Sequence, residues 1–573
     1  MKVSDYIVEF LIEKGITDVF GYPGGMVTHL MDSLKKYDNK ISSHVNYHEQ
    51  ASSFCACGYA QVKNKPGVAF ATSGPGATNL LTGIANAYFD SIPTIFLTGQ
   101  VNTYESKGKM KMRQKGFQET DIIKIANPIT KYSKYIDKPE DIKYELEKAY
   151  YISMSGRKGP VVLDIPMNIF RADVDINNLR KYEQEELDEN LKKEDINLIL
   201  SELLKAKKPL IIAGNGINLA SLNKEFKEAI NKLGIPVVTS MISIDLQNYN
   251  SKYNFGFIGA YGHRYANFLI EKCDLLLTIG TRLDCRQTGA NKEYFARNAK
   301  IIRIDIDKTE LDNKVKEDEI QIVADISEII KEILIDDRFK LKGKYDKWIE
   351  KCEEIKRKLY KIDNEEGNRI IDKLSDIINK NLVITTDVGQ NQVWISQSFK
   401  VKDNQRILFS GGHGSMGYSL PCAIGAYYAK KNNVICFSGD GGLQMNIQEL
   451  QFIKREKLPI KIIVLNNKSL GMIRHFQEMY FDSCYTQTIE KMGYETPDFC
   501  KIAQAYGIKS LNIDNIDKQL DIVKQELENS EPILIQINMN TKTYIYPKLA
   551  VNKPIYDQEP KLDRDLINKL LKE

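Results

Sequence analysis

Ser438-Gly439-Asp440-Gly441-Gly442 directly follows an apolar run, and 27 residues beyond Asp440 the pair Asn466-Asn467, continued by Lys468-Ser469, directly follows another. A carboxylate and an amide oxygen at the ends of two strands suit a hard divalent cation, which takes oxygen ligands and completes its octahedral shell with phosphate and water. Asp440, the side-chain oxygen of Asn467 and a backbone carbonyl near Ser469 are therefore the expected Mg²⁺ ligands. Gly439, Gly441 and Gly442 let backbone N–H groups approach a diphosphate at the strand-to-helix turn, where the helix N-terminus favours anions. Gly-Asp-Gly alone is common in surface turns. Its pairing with Asn-Asn, each half after an apolar strand, is what makes the signal specific.

Placing these residues requires parallel strands buried on both faces. The sequence carries such runs at Asp18–Gly21, Gly67–Thr72, Thr94–Thr98 and Pro160–Ile165, with helix-length stretches between them such as Glu49–Lys63 and Ala77–Tyr88. The pattern repeats at Pro209–Ala213, Leu275–Ile279 and Ile301–Asp305, then at Leu382–Thr386, Val434–Ser438, Ile460–Leu465 and Ile533–Ile537. A charged, apolar-poor stretch over Tyr182–Asn197 reads as a connector, and Arg338–Asn368 as a charged helical one. At 573 residues the chain exceeds one hydrophobic core. The expected architecture is α/β with three doubly wound parallel-sheet domains, over 1–175, 190–340 and 366–546. A tail over 547–573, interrupted by Pro547, Pro554 and Pro560, reads as a surface strap that turns helical only in its last dozen residues.

The details of the third segment resemble thiamine-diphosphate enzymes, above all the acetolactate synthase (acetohydroxyacid synthase) large-subunit family, over nearly the whole chain. In the first domain the resemblance rests on Phe20-Gly-Tyr-Pro-Gly-Gly25, His48-Glu49-Gln50-Ala51, Thr72-Ser-Gly-Pro-Gly76 and Phe117-Gln118-Glu119-Thr120-Asp121. In the third it rests on Asp387-Val-Gly-Gln390, Gly414-Ser-Met-Gly417, Gln444-Met-Asn-Ile-Gln-Glu449 and Leu470-Gly-Met472. It implies that Glu49 hydrogen-bonds the cofactor pyrimidine, favours its imino tautomer and helps to remove the thiazolium proton. It also implies that Met416 wedges thiamine diphosphate into a bent shape, with Gly414 beside it. By the same resemblance Gly389, Gln390 and Met472 would contact the cofactor, and Ser73, Gly74 and Gly25 would line the floor on the other domain. Gln118 and Phe117 stand beside the substrate. Because Glu49 and Asp440 belong to different domains, the family's arrangement implies sites shared between subunits of a homodimer or homotetramer.

The family's middle domain commonly holds FAD in a structural role. Gly280-Thr-Arg282-Leu-Asp284, Gln287-Thr-Gly289 and Ile304-Asp305-Ile-Asp307 resemble its flavin segments, and Arg157, Gly214, Gly216 and Asp325 complete the expected set. Two departures bear on the substrate pocket: Met167 stands where the family commonly has lysine, and Phe476 where it often has tryptophan. The segment Lys109-Met-Lys-Met-Arg113-Gln114 resembles synthase-like relatives that act on nucleotide-linked sugars.

Composition excludes other classes. Lys and Arg number 80 against 76 Asp and Glu, scattered without a basic block, which argues against nucleic acid as a partner. Charged residues interrupt the first twenty positions and no apolar stretch reaches membrane length, so neither a signal peptide nor a spanning helix is expected. Nine cysteines without zinc-ligand spacing read as reduced thiols of a cytoplasmic protein. The favoured reading is a carboligase that decarboxylates pyruvate and transfers the two-carbon unit to a second carbonyl, with acetolactate as the first product to test. A keto-sugar acceptor, simple decarboxylation and a non-catalytic cofactor-binding assembly protein are the alternatives, and a regulatory small subunit is left open.

Overall fold

The computed structural model describes residues 1–184 and 191–572. The connector expected over 182–197 lies partly outside the described residues, and helix Lys193–Lys205 begins within its described part.

Three six-stranded parallel sheets carry the chain. The first contains β1 (Asp18–Gly21), β2 (Ser42–Val45), β3 (Gly67–Ala71), β4 (Thr94–Gln100), β5 (Tyr132–Tyr135) and β6 (Pro160–Pro166), ordered β2-β1-β3-β4-β6-β5. The second contains β7 (Pro209–Ala213), β8 (Val237–Thr239), β9 (Asn254–Phe257), β10 (Leu275–Ile279), β11 (Lys300–Asp305) and β12 (Ile320–Val323), ordered β12-β11-β10-β7-β8-β9. The third contains β13 (Val383–Thr386), β14 (Arg406–Leu408), β15 (Val434–Gly439), β16 (Ile460–Asn466), β17 (Lys509–Ile513) and β18 (Ile533–Asn538), ordered β14-β13-β15-β16-β18-β17. The first and third sheets thus share one strand order, while the second has the order of dinucleotide-binding folds.

Central strands such as β3, β4, β7, β10 and β16 are buried along their whole length because helices cover both faces. Each Ile, Val or Leu buried there contributes about 1.5–3 kcal/mol. Strand order reverses between β1 and β3, between β7 and β10, and between β13 and β15. In open α/β sheets the crevice outside the carboxyl ends of the strands at such a point receives the ligand. Gly25 with Ser73, Gly214 with Gly280, and Gly389 with Asp440 follow these three pairs of strand ends.

The second core reaches past residue 340: Trp348, Cys352, Ile355 and Leu359 of helix Asp346–Leu359 pack into it. The tail adds Ile555, Ile567 and Leu570 to the same core. It pairs β19 (Lys548–Leu549) with β20 (Gln558–Glu559) in antiparallel fashion and ends in helix Arg564–Lys572. Arg264 anchors it, donating to the carbonyls of Gln558 at 3.0 Å and Pro560 at 2.6 Å.

The first and third sheets meet through two helices, Glu49–Lys63 and Ser419–Lys430, whose backbones touch. A Cβ added at Gly58 would stand 2.2 Å from the Cys422 carbonyl oxygen, and one at Gly425 only 1.9 Å from that of Cys55. Phe54 and Tyr418 pack edge to face beside the crossing, and Gln61 donates to the Tyr418 hydroxyl at 2.7 Å. Backbone cannot yield as a flexible side chain can, so Gly58→Ala is expected to lower stability by about 2–3 kcal/mol. Its urea midpoint should fall with unchanged m-value; an unaltered midpoint would show that the helices separate freely.

Candidate active site

The third domain brings its expected ligands together. Asp440 caps the end of β15, and its Oδ1 accepts from the Gly441 N–H at 2.7 Å and the Tyr494 hydroxyl at 3.1 Å. Asp440 Oδ2 and Asn467 Oδ1 both accept from the Ser469 N–H, at 3.3 and 3.2 Å, so the two oxygens converge on one point. The Ser469 carbonyl accepts from the Gly471 N–H at 2.8 Å and keeps a second lone pair. The Ser469 hydroxyl is buried without a partner. Burial pushes the Asp440 carboxyl up to about 6 despite these donors. A lone carboxylate with neutral oxygens around it, in a buried turn, fits a cation that brings phosphate as its remaining ligand.

The glycines divide the work. Gly439 precedes helix Asp440–Met445, and Gly441 leaves room for Leu470, the Tyr494 hydroxyl and the Met416 methyl, which all lie within 3.2 Å of where its Cβ would stand. Gly442 instead admits Asp387, whose Oδ1 would lie 2.4 Å from a Cβ there. Asp387 is 1% exposed and accepts from the Gly417 N–H at 2.9 Å and from the Ser419 N–H and hydroxyl at 3.0 and 2.9 Å. It therefore holds the turn that bears Gly414, Ser415 and the half-buried Met416. Gly389 caps helix Gln390–Ser398. Gln390 itself turns to protein: its Oε1 accepts from Asn467 at 2.8 Å and from the Thr543 hydroxyl at 2.9 Å, and its amide donates to the Thr543 carbonyl. Met472 is half-buried on helix Gly471–Tyr480, and Phe476, 47% exposed, lies on the same helix with its ring 4.6 Å from that of Tyr480.

The first domain assembles a second group. Glu49 opens helix Glu49–Lys63, which His48 caps by accepting from the Gln50 N–H at 3.1 Å. The Glu49 side chain is buried; its Oε2 accepts from Asn79 at 2.9 Å, and its Oε1 faces Gly76, where a Cβ would stand 3.2 Å away. The Ser73 hydroxyl is buried without a partner, and Gly74 lies against Gln118. Gly25 is exposed with open space before it, and Phe117 is 80% exposed. Met167 is half-buried and opens the short helix Met167–Phe170.

A cleft of about 240 Å³ separates the middle domain from the first. Gly216, Gly280, Arg282, Asp284, Asp305 and Asp325 line one part, and Met241, Ile242, Phe257 and Tyr261 an apolar part. A glycine turn beside charged groups, running into an apolar wall, fits a dinucleotide with a flat ring at one end. Gly214 is taken up by the approach of Gly280, whose carbonyl would lie 2.0 Å from its Cβ. Arg157 is committed to Asp307, Glu310 and the Ser91 hydroxyl rather than free for a phosphate.

Sequence reasoning missed Asn79, Asp387, Tyr494 and Glu449. Asp387 and Glu449 stand in quoted motifs, so a signal existed; Tyr494 lies in a loop 54 residues from Asp440 and had none. Glu449 is fully buried and reaches across domains, accepting from Asn46 at 2.9 Å and from the Tyr47 N–H at 2.8 Å, just ahead of Glu49. Burial raises its carboxyl from 4.5 to about 7. A carboxyl whose folded pKa lies above the unfolded one binds more protons when folded, so its contribution is complete below the unfolded value and is lost as pH rises toward 7. In cofactor-free protein Glu449→Gln should therefore flatten the decline of melting temperature between about pH 5 and pH 7. Equal slopes in wild type and variant would refute this titration.

The chain is similar to known proteins over nearly its whole length. Family models for thiamine pyrophosphate enzymes match in three pieces: the N-terminal TPP binding domain over 1–125, the central domain over 196–333 and the C-terminal TPP binding domain over 387–537. The chain is 35% identical to the acetolactate synthase large subunit of Lactococcus lactis subsp. lactis, over 95% of this chain and 94% of that one. It is 36% identical to a probable acetolactate synthase large subunit of Methanocaldococcus jannaschii, over 94% and 92%. With the acetolactate synthase isozyme 2 large subunit of Escherichia coli K12 it shares 32%, over 96% and 97%. Full-length similarity at this level, on a fold whose strand ends gather Asp440 with Asn467 and bury Glu49, places the chain in the acetolactate synthase large-subunit family of thiamine-diphosphate-dependent enzymes.

Proposed function

We propose that the protein condenses two molecules of pyruvate into 2-acetolactate with release of CO₂, in a homodimer or homotetramer whose sites lie between subunits. The observation that carries this reading is the coexistence of two intact half-sites: a buried Glu49 held by Asn79, and the convergent oxygens of Asp440 and Asn467. Asp440, Asn467 and the Ser469 carbonyl would hold Mg²⁺, and the N–H groups at Gly439–Gly442 would receive the diphosphate. When bound, thiamine diphosphate supplies an acidic thiazolium carbon and a cationic ring that takes up the electrons released with CO₂.

Glu49 would hold and move a proton at Oε1, the oxygen that Asn79 leaves free. The unpartnered Ser73 hydroxyl, with Gly74 and Gly25, would form the floor on that side, while Met416 sets the bound shape from the other. The Gln118 amide would orient the keto acid, with Phe117, Met167 and Phe476 bounding the space for the acceptor.

FAD would occupy the cleft between the first and middle domains as a structural group, held by lining residues such as Gly216, Arg282, Met241 and Tyr261. The exposed Phe117, Ile473, Phe476, Tyr480 and Phe481 offer apolar surface for a second copy. The relatives are named as large subunits, which supports a smaller regulatory partner here too. Among the described residues no helix is long and apolar enough to cross a membrane.

Purified protein with thiamine diphosphate, Mg²⁺, FAD and pyruvate alone should form acetolactate, read by its acid-dependent conversion to acetoin, in step with CO₂ release. CO₂ release with little acetolactate would overturn the choice of acceptor, and no CO₂ release would overturn the donor chemistry. Glu49→Gln should keep cofactor binding by calorimetry while turnover falls about 10²- to 10⁴-fold, since the proton-transfer step is lost.

A further inference from the structure

Gln118 reaches the site from an unusual backbone position. Its φ is +64°, in the left-handed region that non-glycine residues seldom occupy, and its Cβ and carbonyl press against Gly74, itself at φ +63°. Such a conformation persists only where its surroundings impose it.

Two devices do so. On one side the Glu119 carboxylate gathers the Lys107 N–H at 2.7 Å, the Ser106 hydroxyl at 2.8 Å and the Lys115 N–H at 2.9 Å, closing the loop that leads to Phe117. On the other, the Gln100 amide at the end of β4 donates to the Thr120 carbonyl at 2.8 Å, two residues beyond Gln118, and to Asp164 Oδ2 at 3.0 Å. Asp164 lies on β6 opposite Thr98, whose hydroxyl donates to its Oδ1 at 2.7 Å. Thr98, Gln100 and Asp164 are all at least 95% buried. No protein cation pairs with Asp164 among the described residues, although a buried carboxylate is costly without one.

We propose that Gln100 and Asp164 are positioning residues for substrate binding: the carboxylate fixes the Gln100 amide, which holds the Thr120 carbonyl and so sets the reach of Gln118. This rests on the reading that Gln118 faces the keto acid. Burial raises the Asp164 carboxyl to about 7. The other charged or titratable groups facing it are Asp121 on the substrate segment and Tyr135 on β5; Asp121 is paired with Lys124 at 2.6 Å. Ionised, Asp164 accepts from both Thr98 and Gln100. A proton on Oδ1 is met by Thr98, whose hydroxyl turns to accept it, so the Gln100 amide keeps its acceptor at Oδ2 in either state.

The experiment uses the full protein with cofactors and compares Gln100→Leu, Asp164→Leu, Asp164→Asn, Gln118→Ala and the double variant Gln100→Leu/Gln118→Ala. Gln100→Leu should raise the KM for pyruvate about ten-fold with kcat within about two-fold, the pattern of lost uniform binding. In the Gln118→Ala background Gln100→Leu should add nothing further. Asp164→Leu, which removes the acceptor, should raise KM likewise, whereas Asp164→Asn, whose oxygen still accepts from Gln100 while its NH₂ donates to Thr98, should stay within about two-fold of wild type. Hydrogen exchange of the Gln118–Asp121 amides should quicken in Gln100→Leu and Asp164→Leu; this readout needs no turnover and stands even if one variant folds poorly. Unchanged exchange, or additive effects of Gln100→Leu and Gln118→Ala, would overturn the proposal. A wild-type protein that releases no CO₂ from pyruvate would instead overturn the reading of the preceding section, leaving the exchange result to decide the tether.

Discussion

The architecture depends on one close contact, the crossing of helices Glu49–Lys63 and Ser419–Lys430 at Gly58 and Gly425. Glu49 is the first residue of one of these helices, and the Asp387-held turn bearing Met416 leads into the other. Any change in their separation would move Glu49 of the first domain and Met416 of the third together. Glu449 and Asn446 reinforce the link, the latter donating to both Gln50 and the Gly417 carbonyl. The groups proposed for catalysis therefore ride on elements whose spacing is fixed by backbone contact rather than by side chains that can adjust.

Buried carboxylates form the second theme. Asp90, Asp164, Asp440 and Glu449 are all pushed upward by burial and all sit where segments from different elements converge. Each accepts N–H or O–H donors from those segments, so a single carboxylate orders several pieces of backbone at once. The cost of desolvation is offset only in part by these donors, a pattern found where function rather than stability selects the group.

Much of this was legible in the sequence because the central strands announce themselves as apolar runs. Gly67–Ala71, Leu275–Ile279 and Ile460–Asn466 have water on neither face, leaving no polar alternation to confuse the reading. The outer strands escaped notice for the opposite reason. Ser42–Val45, Tyr132–Tyr135 and Lys509–Ile513 lie at sheet edges, short and partly exposed, with compositions no different from loops. The same divide runs through the site. Asp440 and Asn467 were recognisable because strand context and spacing coincide, and Glu49 because of its neighbours. Tyr494 and Asn79 were not, because each reaches its partner by folding rather than by spacing. Gln390 and Gly442 were recognisable as important, but the structure turns them toward Asn467 and Asp387, contacts that no spacing encodes.

The crossing helices carry a further implication. Gly58 lies three residues after Cys55 and meets Cys422, while Gly425 lies three residues after Cys422 and meets Cys55. The flanking sheets share one strand order and the contact is reciprocal, so the first and third domains meet as matching halves. A second copy placed by a two-fold rotation, so that its third domain meets this chain's first, would at the same time offer its first domain to this chain's third. Association of that kind closes upon itself after two copies and leaves no unmatched end from which a filament could grow.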